Sequence, residues 1–270
     1  MLEWKEVNLS YNGKENVLKN IDLTVEKGDL VTIVGPSGCG KTTLLKTANK
    51  MIVPNKGSIS LQGRDLKNIP TIELRRSIGY VIQQIGLFPH LTIEDNISYV
   101  LKLQQTEHKT RERRTRELLE LVGLSSLDPI RRPSTLSGGQ KQRIGVARAL
   151  AADPDIILMD EPFGAVDDLA RTQLQNAFLD IQKKLKKTIL FVTHDIHEAL
   201  KLGSKILLMN KGSIEQYGTA EELVFHPKTA FVKSFFGLKG FQSMLDEELL
   251  SDYYEKILSG EKTIQDLFVC

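Results

Sequence analysis

Apolar and polar residues alternate with a period of two over Val7-Asn8-Leu9-Ser10-Tyr11, and again from Val17 to Val25. That period buries one face of a strand and leaves the other wet. Residues 2–25 therefore predict a half-exposed antiparallel sheet. The pattern then changes. Leu30-Val31-Thr32-Ile33-Val34 is almost wholly apolar, as are Ile156–Met159, Thr188–Thr193 and Lys205–Met209. Short runs of this kind suit strands covered on both faces, the habit of parallel sheets. Further strand patterns lie at Ser58–Leu61 and Gly79–Gln83. From about residue 90 to about 153 the chain reads as helical, with a charged helix over Lys109–Glu120 and breaks at Asp128-Pro129 and Arg131-Arg132-Pro133. Met244–Leu258 also carries a helical pattern. The pattern predicts an α/β fold: a mainly parallel sheet, an N-terminal antiparallel sheet and an inserted helical subdomain.

Composition changes this picture little. The 270 residues are enough for a substantial core, and 41% hydrophobic with 26% charged residues is ordinary for a globular protein. A net charge of +2 supplies no general attraction to nucleic acid or anionic lipid. The basic stretch Arg111–Arg116 contains Glu112 and reads as a solvated helix face, so no nucleic-acid partner is expected. No apolar run approaches the ~20 residues of a membrane span. Cys39 and Cys270 make no disulfide framework, which leaves a reduced, cytosolic setting as the default. The opening Met1-Leu2-Glu3-Trp4-Lys5-Glu6 has acidic residues and no apolar core, unlike a signal peptide.

Candidate chemistry begins at Gly35-Pro36-Ser37-Gly38-Cys39-Gly40-Lys41-Thr42, which fits G-x-x-x-x-G-K-[ST]. A buried strand precedes it, and Thr42-Thr43-Leu44-Leu45-Lys46 opens a helix. Glycines let the backbone wrap phosphate oxygens, and the helix N-terminus adds a partial positive charge. Lys41 is placed to reach the β- and γ-phosphates, and the Thr42 hydroxyl to coordinate Mg²⁺. The apolar strand Ile156–Met159 then runs into Asp160-Glu161. A parallel strand delivers such side chains to the mouth of the sheet, where Asp160 can hold Mg²⁺ and Glu161 can orient and deprotonate a water. A second anion-binding helix start follows from Leu136-Ser137-Gly138-Gly139-Gln140, with the helix running through Ile144–Ala151.

With those three segments in place, the chain resembles the ATP-binding subunit of ATP-binding-cassette (ABC) transporters over about residues 2 to 237. Leu136–Gln140 looks like the family signature, and Gly35–Thr42 and Ile156–Asp160 match the two Walker motifs. The resemblance implies an ATP- and Mg²⁺-binding P-loop core in residues 1–237, with the helical subdomain at about 90–153 and a helical tail at 238–270. It implies catalytic roles for Glu161, Gln83 and the switch histidine His194, with Thr42, Gln83 and Asp160 facing the metal. Nucleotide contacts fall to Gly35, Ser37, Gly38, Cys39, Gly40, Lys41, Thr42 and Thr43, with Tyr11 stacking on adenine. Ser137, Gly138, Gly139, Gln140 and Asp167 would meet the nucleotide as well; Gly164-Ala165-Val166-Asp167 matches the D-loop, although Gly164 and Val166 stand where Ser and Leu are usual. The family works as a head-to-tail homodimer, each ATP lying between one copy's phosphate loop and the other's signature. Integral-membrane permease subunits, and indirectly a substrate-binding protein, are the further implied partners, at the cytoplasmic face of the membrane.

The segments Ile78–Ile93 and Asp160–Gln175 look like the ATPases of importers for glycine betaine, choline or carnitine. Another small solute, such as an amino acid, is the alternative cargo, and a non-transport ABC ATPase is the alternative role. Longer members of that group carry paired regulatory CBS modules; about 30 residues follow Gly237 here, so none is expected.

Overall fold

The structure is a computed structural model that describes residues 1–83, 86–164, 168–244, 255–259 and 261. In chain order the strands are β1 (Leu2–Leu9), β2 (Leu18–Val25), β3 (Leu30–Val34), β4 (Lys56–Leu61), β5 (Arg64–Asp65), β6 (Ile78–Val81), β7 (Ile156–Asp160), β8 (Thr188–Val192), β9 (Lys205–Asn210) and β10 (Ser213–Gly218). The helices are α1 (Lys41–Thr47), α2 (Thr71–Ser77), α3 (Ile93–Ile97), α4 (Tyr99–Leu103), α5 (His108–Leu121), α6 (Gly138–Leu150), α7 (Asp168–Leu185), α8 (Ile196–Leu202), α9 (Ala220–Phe225) and α10 (Ala230–Ser243).

The alternating N-terminal segment forms an antiparallel sheet in the order β2-β1-β4-β5. The apolar runs form a second sheet, ordered β10-β9-β3-β8-β7-β6, parallel except where β10 pairs with β9. Its inner strands are covered twice, which is why their sequences do not alternate. Ile157, Met159, Ile189 and Phe191 face a core that includes Ile93, Ile97, Leu118, Leu119, Ile144 and Leu150 of the helical region. Ile156, Leu158, Leu190 and Val192 face the opposite way, onto Leu2, Trp4, Val7, Ile21 and Leu23 of the antiparallel sheet. Trp4 ties the antiparallel sheet to α1, its buried Nε1 donating to Thr47 Oγ1 at 2.9 Å. A third core joins α8, α9 and α10 to Val34, Ile206 and Leu208.

Several boundaries shift by a residue or two from the pattern, and two of the differences bear on the site and on the tail. The strand expected to reach Gln83 stops at Val81, leaving Gln83 in the turn beyond. β6 is the edge strand, paired only with β7, and that pairing ends at Val81 opposite Met159. At the other end, α10 ends at Ser243 and is broken at Gly237, whose φ of 41° and ψ of −141° are not helical. Residues 255–258 are helical, while residues 245–254 of the tail pattern lie outside the described residues.

Candidate functional site

The central strand β3 is buried at all five positions and delivers the chain to Gly35. A side chain is excluded there: φ is 147°, and a Cβ would collide with the Met209 carbonyl oxygen. The loop closes at Gly40, which caps α1 with φ of 106°, another conformation that favours glycine. Among the described residues no side chain caps α1, and intrahelical bonding begins only at Leu44 N, which donates to Gly40 O at 2.8 Å. Lys41 is buried, its Nζ donating to the carbonyls of Gly35 (2.7 Å) and Pro36 (3.0 Å). The loop therefore curls round its own cation. Ser37 and Gly38 are exposed, and Cys39 is buried with its thiol pushed up by that burial. Tyr11 is 64% exposed, yet its hydroxyl lies 3.1 Å from Thr43 Oγ1, which places the ring beside the phosphate loop.

The carboxylates stand across from this loop. Asp160, last residue of β7, is 4% exposed, and Thr42 Oγ1 donates to its Oδ1 at 2.8 Å. Burial holds the Asp160 carboxyl above its usual range; the Thr42 hydrogen bond and the charge of Lys46 act against that push. Glu161 follows with φ of 45°, a left-handed backbone that costs a non-glycine residue about 1 kcal/mol. Hydrogen bonds from Glu161 N to Val192 O (3.0 Å) and from Gly164 N to Glu161 O (3.2 Å) hold it there. Its Oε2 accepts from Gln83 Nε2 at 3.0 Å and lies 3.4 Å from Nδ1 of His194, whose side chain is 65% exposed. Gln83, Glu161 and His194 thus converge from the ends of β6, β7 and β8.

Among the described residues, no group of three or more His, Cys, Asp or Glu is arranged to hold a metal ion. Mg²⁺ bound beside substrate phosphates keeps several waters and takes few protein oxygens. Thr42 Oγ1 with Asp160 Oδ1 is a donor pair of that kind.

The signature segment is not brought to this cluster. Ser137 and Gln140 form a capping box on α6: Gln140 N donates to Ser137 Oγ (3.3 Å), and Ser137 N to Gln140 Oε1 (3.0 Å). A Cβ at Gly139 would meet nothing within 4 Å. Among the described residues, no hydrogen bond or ion pair joins Ser137, Gly138, Gly139 or Gln140 to the phosphate loop, Gln83, Glu161 or His194. Asp167 lies outside the described residues. Three residues that the sequence reading passed over also bear on the site. Lys46 acts on Asp160. Asn96, fully buried in α3, grips the loop beyond Gln83 through Phe88 N (2.8 Å) and Phe88 O (3.1 Å). Arg148 of α6 donates to Gly86 O in the same loop at 2.7 Å. Nothing short-range in the chain marks Asn96 or Arg148, since each sits inside an ordinary helical pattern.

A glycine-rich loop between a central parallel strand and a helix, with an acidic strand end facing its Lys and Thr, defines a P-loop nucleotide-binding domain. Residues 18–164 match the ABC transporter family. The chain is 46% identical over 268 residues to the glycine betaine/carnitine/choline transport ATP-binding protein of Bacillus subtilis, covering 98% of this chain and 70% of that protein. It is 49% identical over 237 residues to the choline transport ATP-binding protein of the same organism, covering 88% and 62%. The chain belongs to the ABC transporter family. A solved ATP-binding cassette, described as a dimer in a post-hydrolysis state with ADP and Pi, superposes with a TM-score of 0.73 at 32% identity, covering 81% of this chain and 98% of that one.

Proposed function

We propose that this chain is the ATP-hydrolysing subunit of an importer, working as a head-to-tail dimer that drives uptake of a quaternary-amine osmoprotectant: glycine betaine, choline or carnitine. One observation carries the hydrolytic part. A single carboxylate oxygen of Glu161 is held between Gln83 Nε2 and His194 Nδ1, next to the Thr42–Asp160 pair. A water-activating group needs such orientation, because phosphoryl transfer to water relies on positioning and charge stabilisation.

In this reading Gly35, Ser37, Gly38, Cys39, Gly40, Lys41, Thr42 and Thr43 hold the phosphates, and Tyr11 stacks on the base. Lys41 exchanges the carbonyls of Gly35 and Pro36 for phosphate oxygens. Thr42 and Asp160, with Gln83 nearby, face Mg²⁺, which when bound neutralises charge on the β- and γ-phosphate oxygens. Glu161 orients the water and takes its proton, and His194 steadies the γ-phosphate. Ser137, Gly138, Gly139 and Gln140 complete the site of a second copy, helped by Asp167. Among the described residues no helix is long and apolar enough to cross a membrane. In this reading permease subunits carry the solute, with this subunit on the cytoplasmic face of the membrane and a substrate-binding protein delivering cargo.

The cargo assignment is supported by the named functions of the relatives, which match 98% and 88% of this chain. Reconstitution with permease and binding-protein subunits of a quaternary-amine importer from the same source tests the whole reading. ATP-dependent accumulation of labelled glycine betaine, choline or carnitine in vesicles is the expected result. Accumulation of an amino acid instead, with no quaternary amine entering, would overturn the cargo while leaving the ATPase intact.

A further inference from the structure

The reaction above does not use Arg148, yet this residue holds one end of the turn that carries Gln83. Upstream of Gln83 the last ladder pair is Val81 with Met159. Downstream, Gly86 O accepts from Arg148 Nη1 of α6 at 2.7 Å. That distance is short for an N–H···O bond, and the donor is a cation, which makes such a bond roughly twice as strong as a neutral one. The guanidinium carbon also lies 6.0 Å from the centroid of the Phe88 ring, within reach of a cation–π contact. The Phe88 ring in turn lies 4.8 Å from that of Tyr99 of α4, and its backbone is clamped by Asn96 of α3.

The geometry points to Arg148 as a positioning residue for Gln83: by seating Gly86 on α6 it fixes the far end of the short turn that brings the Gln83 amide to Glu161. From Gln83 to Gly86 the chain can span at most about 11 Å. The Arg148 bond therefore limits where Gln83 can go, whatever conformation the two residues between them take. The turn has one anchor on the sheet at Val81 and one on α6, and between them Gln83 Nε2 donates to Glu161 Oε2 at 3.0 Å. Arginine suits the task because its planar fork donates to a carbonyl while its face meets an aromatic ring, which a lysine cannot do. Arg148 also shares its helix with the cap residue Ser137, about 16 Å away at 1.5 Å per residue. A displacement of the Ser137 end of α6 is thus carried along one helix to the Gly86 anchor, and from there to Gln83.

This inference rests on reading Gln83 and Glu161 as part of the hydrolytic site, and its test separates the two. Arg148→Met in the full chain keeps an apolar stem but removes the donor to Gly86 O. We expect kcat for ATP hydrolysis to fall about tenfold, as misplacement of a group at the reacting centre does. The Kd for ATP should be unchanged, because the phosphate loop is untouched. In side-chain amide NMR of the nucleotide-free protein, with the Gln83 signal assigned by its loss in Gln83→Ala, that amide should shift in Arg148→Met. The double variant should be no slower than Gln83→Ala alone, since both changes act through one amide. Arg148→Gln, polar but too short to reach Gly86 O, should repeat these effects and decides the matter if Arg148→Met does not fold. A Gln83 signal that stays in place in both variants, or losses in kcat that multiply in the double variant, would overturn the proposal. A wild-type protein without ATPase activity would instead overturn the functional reading, and the NMR arm would still decide this one.

Discussion

Helices α1 and α6 both open beside glycines, and a helix dipole lies behind each N-terminus, yet the chain finishes them differently. At α1 the cap is a left-handed glycine with no side chain contributing, and the following lysine is folded back into the loop. At α6 the chain closes its own helix end, Ser137 and Gln140 each satisfying a backbone N–H of the other. The first arrangement leaves first-turn donors and a cation waiting for an anion. The second stands without one, and its glycine next door, Gly139, faces open space. In the proposed reading, the helix start that takes phosphate is the one the chain leaves without a side-chain cap, and the one that meets a second copy is capped and still accessible.

The largest expected effect joins the two ends. Glu161→Gln removes the carboxylate proposed to orient and activate water while leaving α1 and its loop unchanged. Hydrolysis should fall by at least about 100-fold, the range for loss of a general base. ATP should stay bound, and the variant should run as a dimer in gel filtration only when ATP is present. A monomer under those conditions would mean that α6 does not complete a neighbour's site.

Next in size is Ser137→Arg, which sets a bulky cation against the α6 dipole. ATP affinity should be unchanged, because the phosphate loop is untouched, while hydrolysis drops by at least about tenfold for want of the γ-phosphate shell. Mixing this variant with Lys41→Ala should recover part of the activity, since a mixed dimer contains one site with both parts intact. No recovery despite crosslinked mixed dimers would break the comparison between a self-contained end and a shared one.

Lys41→Ala alone tests the α1 side. Loss of a charge-assisted contact worth roughly 1.5–3 kcal/mol should raise the Kd for ATP by about tenfold or more. A fluorescent-nucleotide titration reads this directly, and an unchanged Kd would show that the loop does not hold the phosphates.

The smallest effect concerns stability. Burial raises the Asp160 pKa in the fold, so its protonated form is the better accommodated one. The stability this contributes is present below the unfolded pKa and is lost as pH rises through the folded pKa. Asp160→Asn, free of nucleotide and metal, should melt higher than the wild type near neutrality, with the gap closing as pH falls into the carboxylate range. A lower melting temperature at neutral pH would show that the Thr42 hydrogen bond outweighs the burial. No comparable buried acid is recorded at the α6 end among the described residues.

Much of this was legible in the chain alone. The strands buried on both faces announce themselves as apolar runs, because two-sided burial leaves no polar positions to alternate with. The phosphate loop, the acidic end of β7 and the α6 cap are each local, so spacing along the chain is also spacing in space. The strand end at Val81 was not legible, since it depends on how far β7 accompanies an edge strand. Arg148 was missed for a related reason: it looks like any basic residue on a helix until its partner Gly86, 62 positions away, is known.

What the chain determined by itself, then, is the inventory of phosphate-binding and acidic segments, each set by short-range backbone and side-chain chemistry. What only the tertiary structure decided is their convergence. Gln83 and Glu161 are 78 positions apart, and His194 lies two residues past the end of a third strand. They meet on one carboxylate oxygen because the sheet order β8-β7-β6 sets three parallel strand ends side by side. Strand order follows from which faces the helices and the antiparallel sheet cover, a long-range packing outcome that no local pattern encodes.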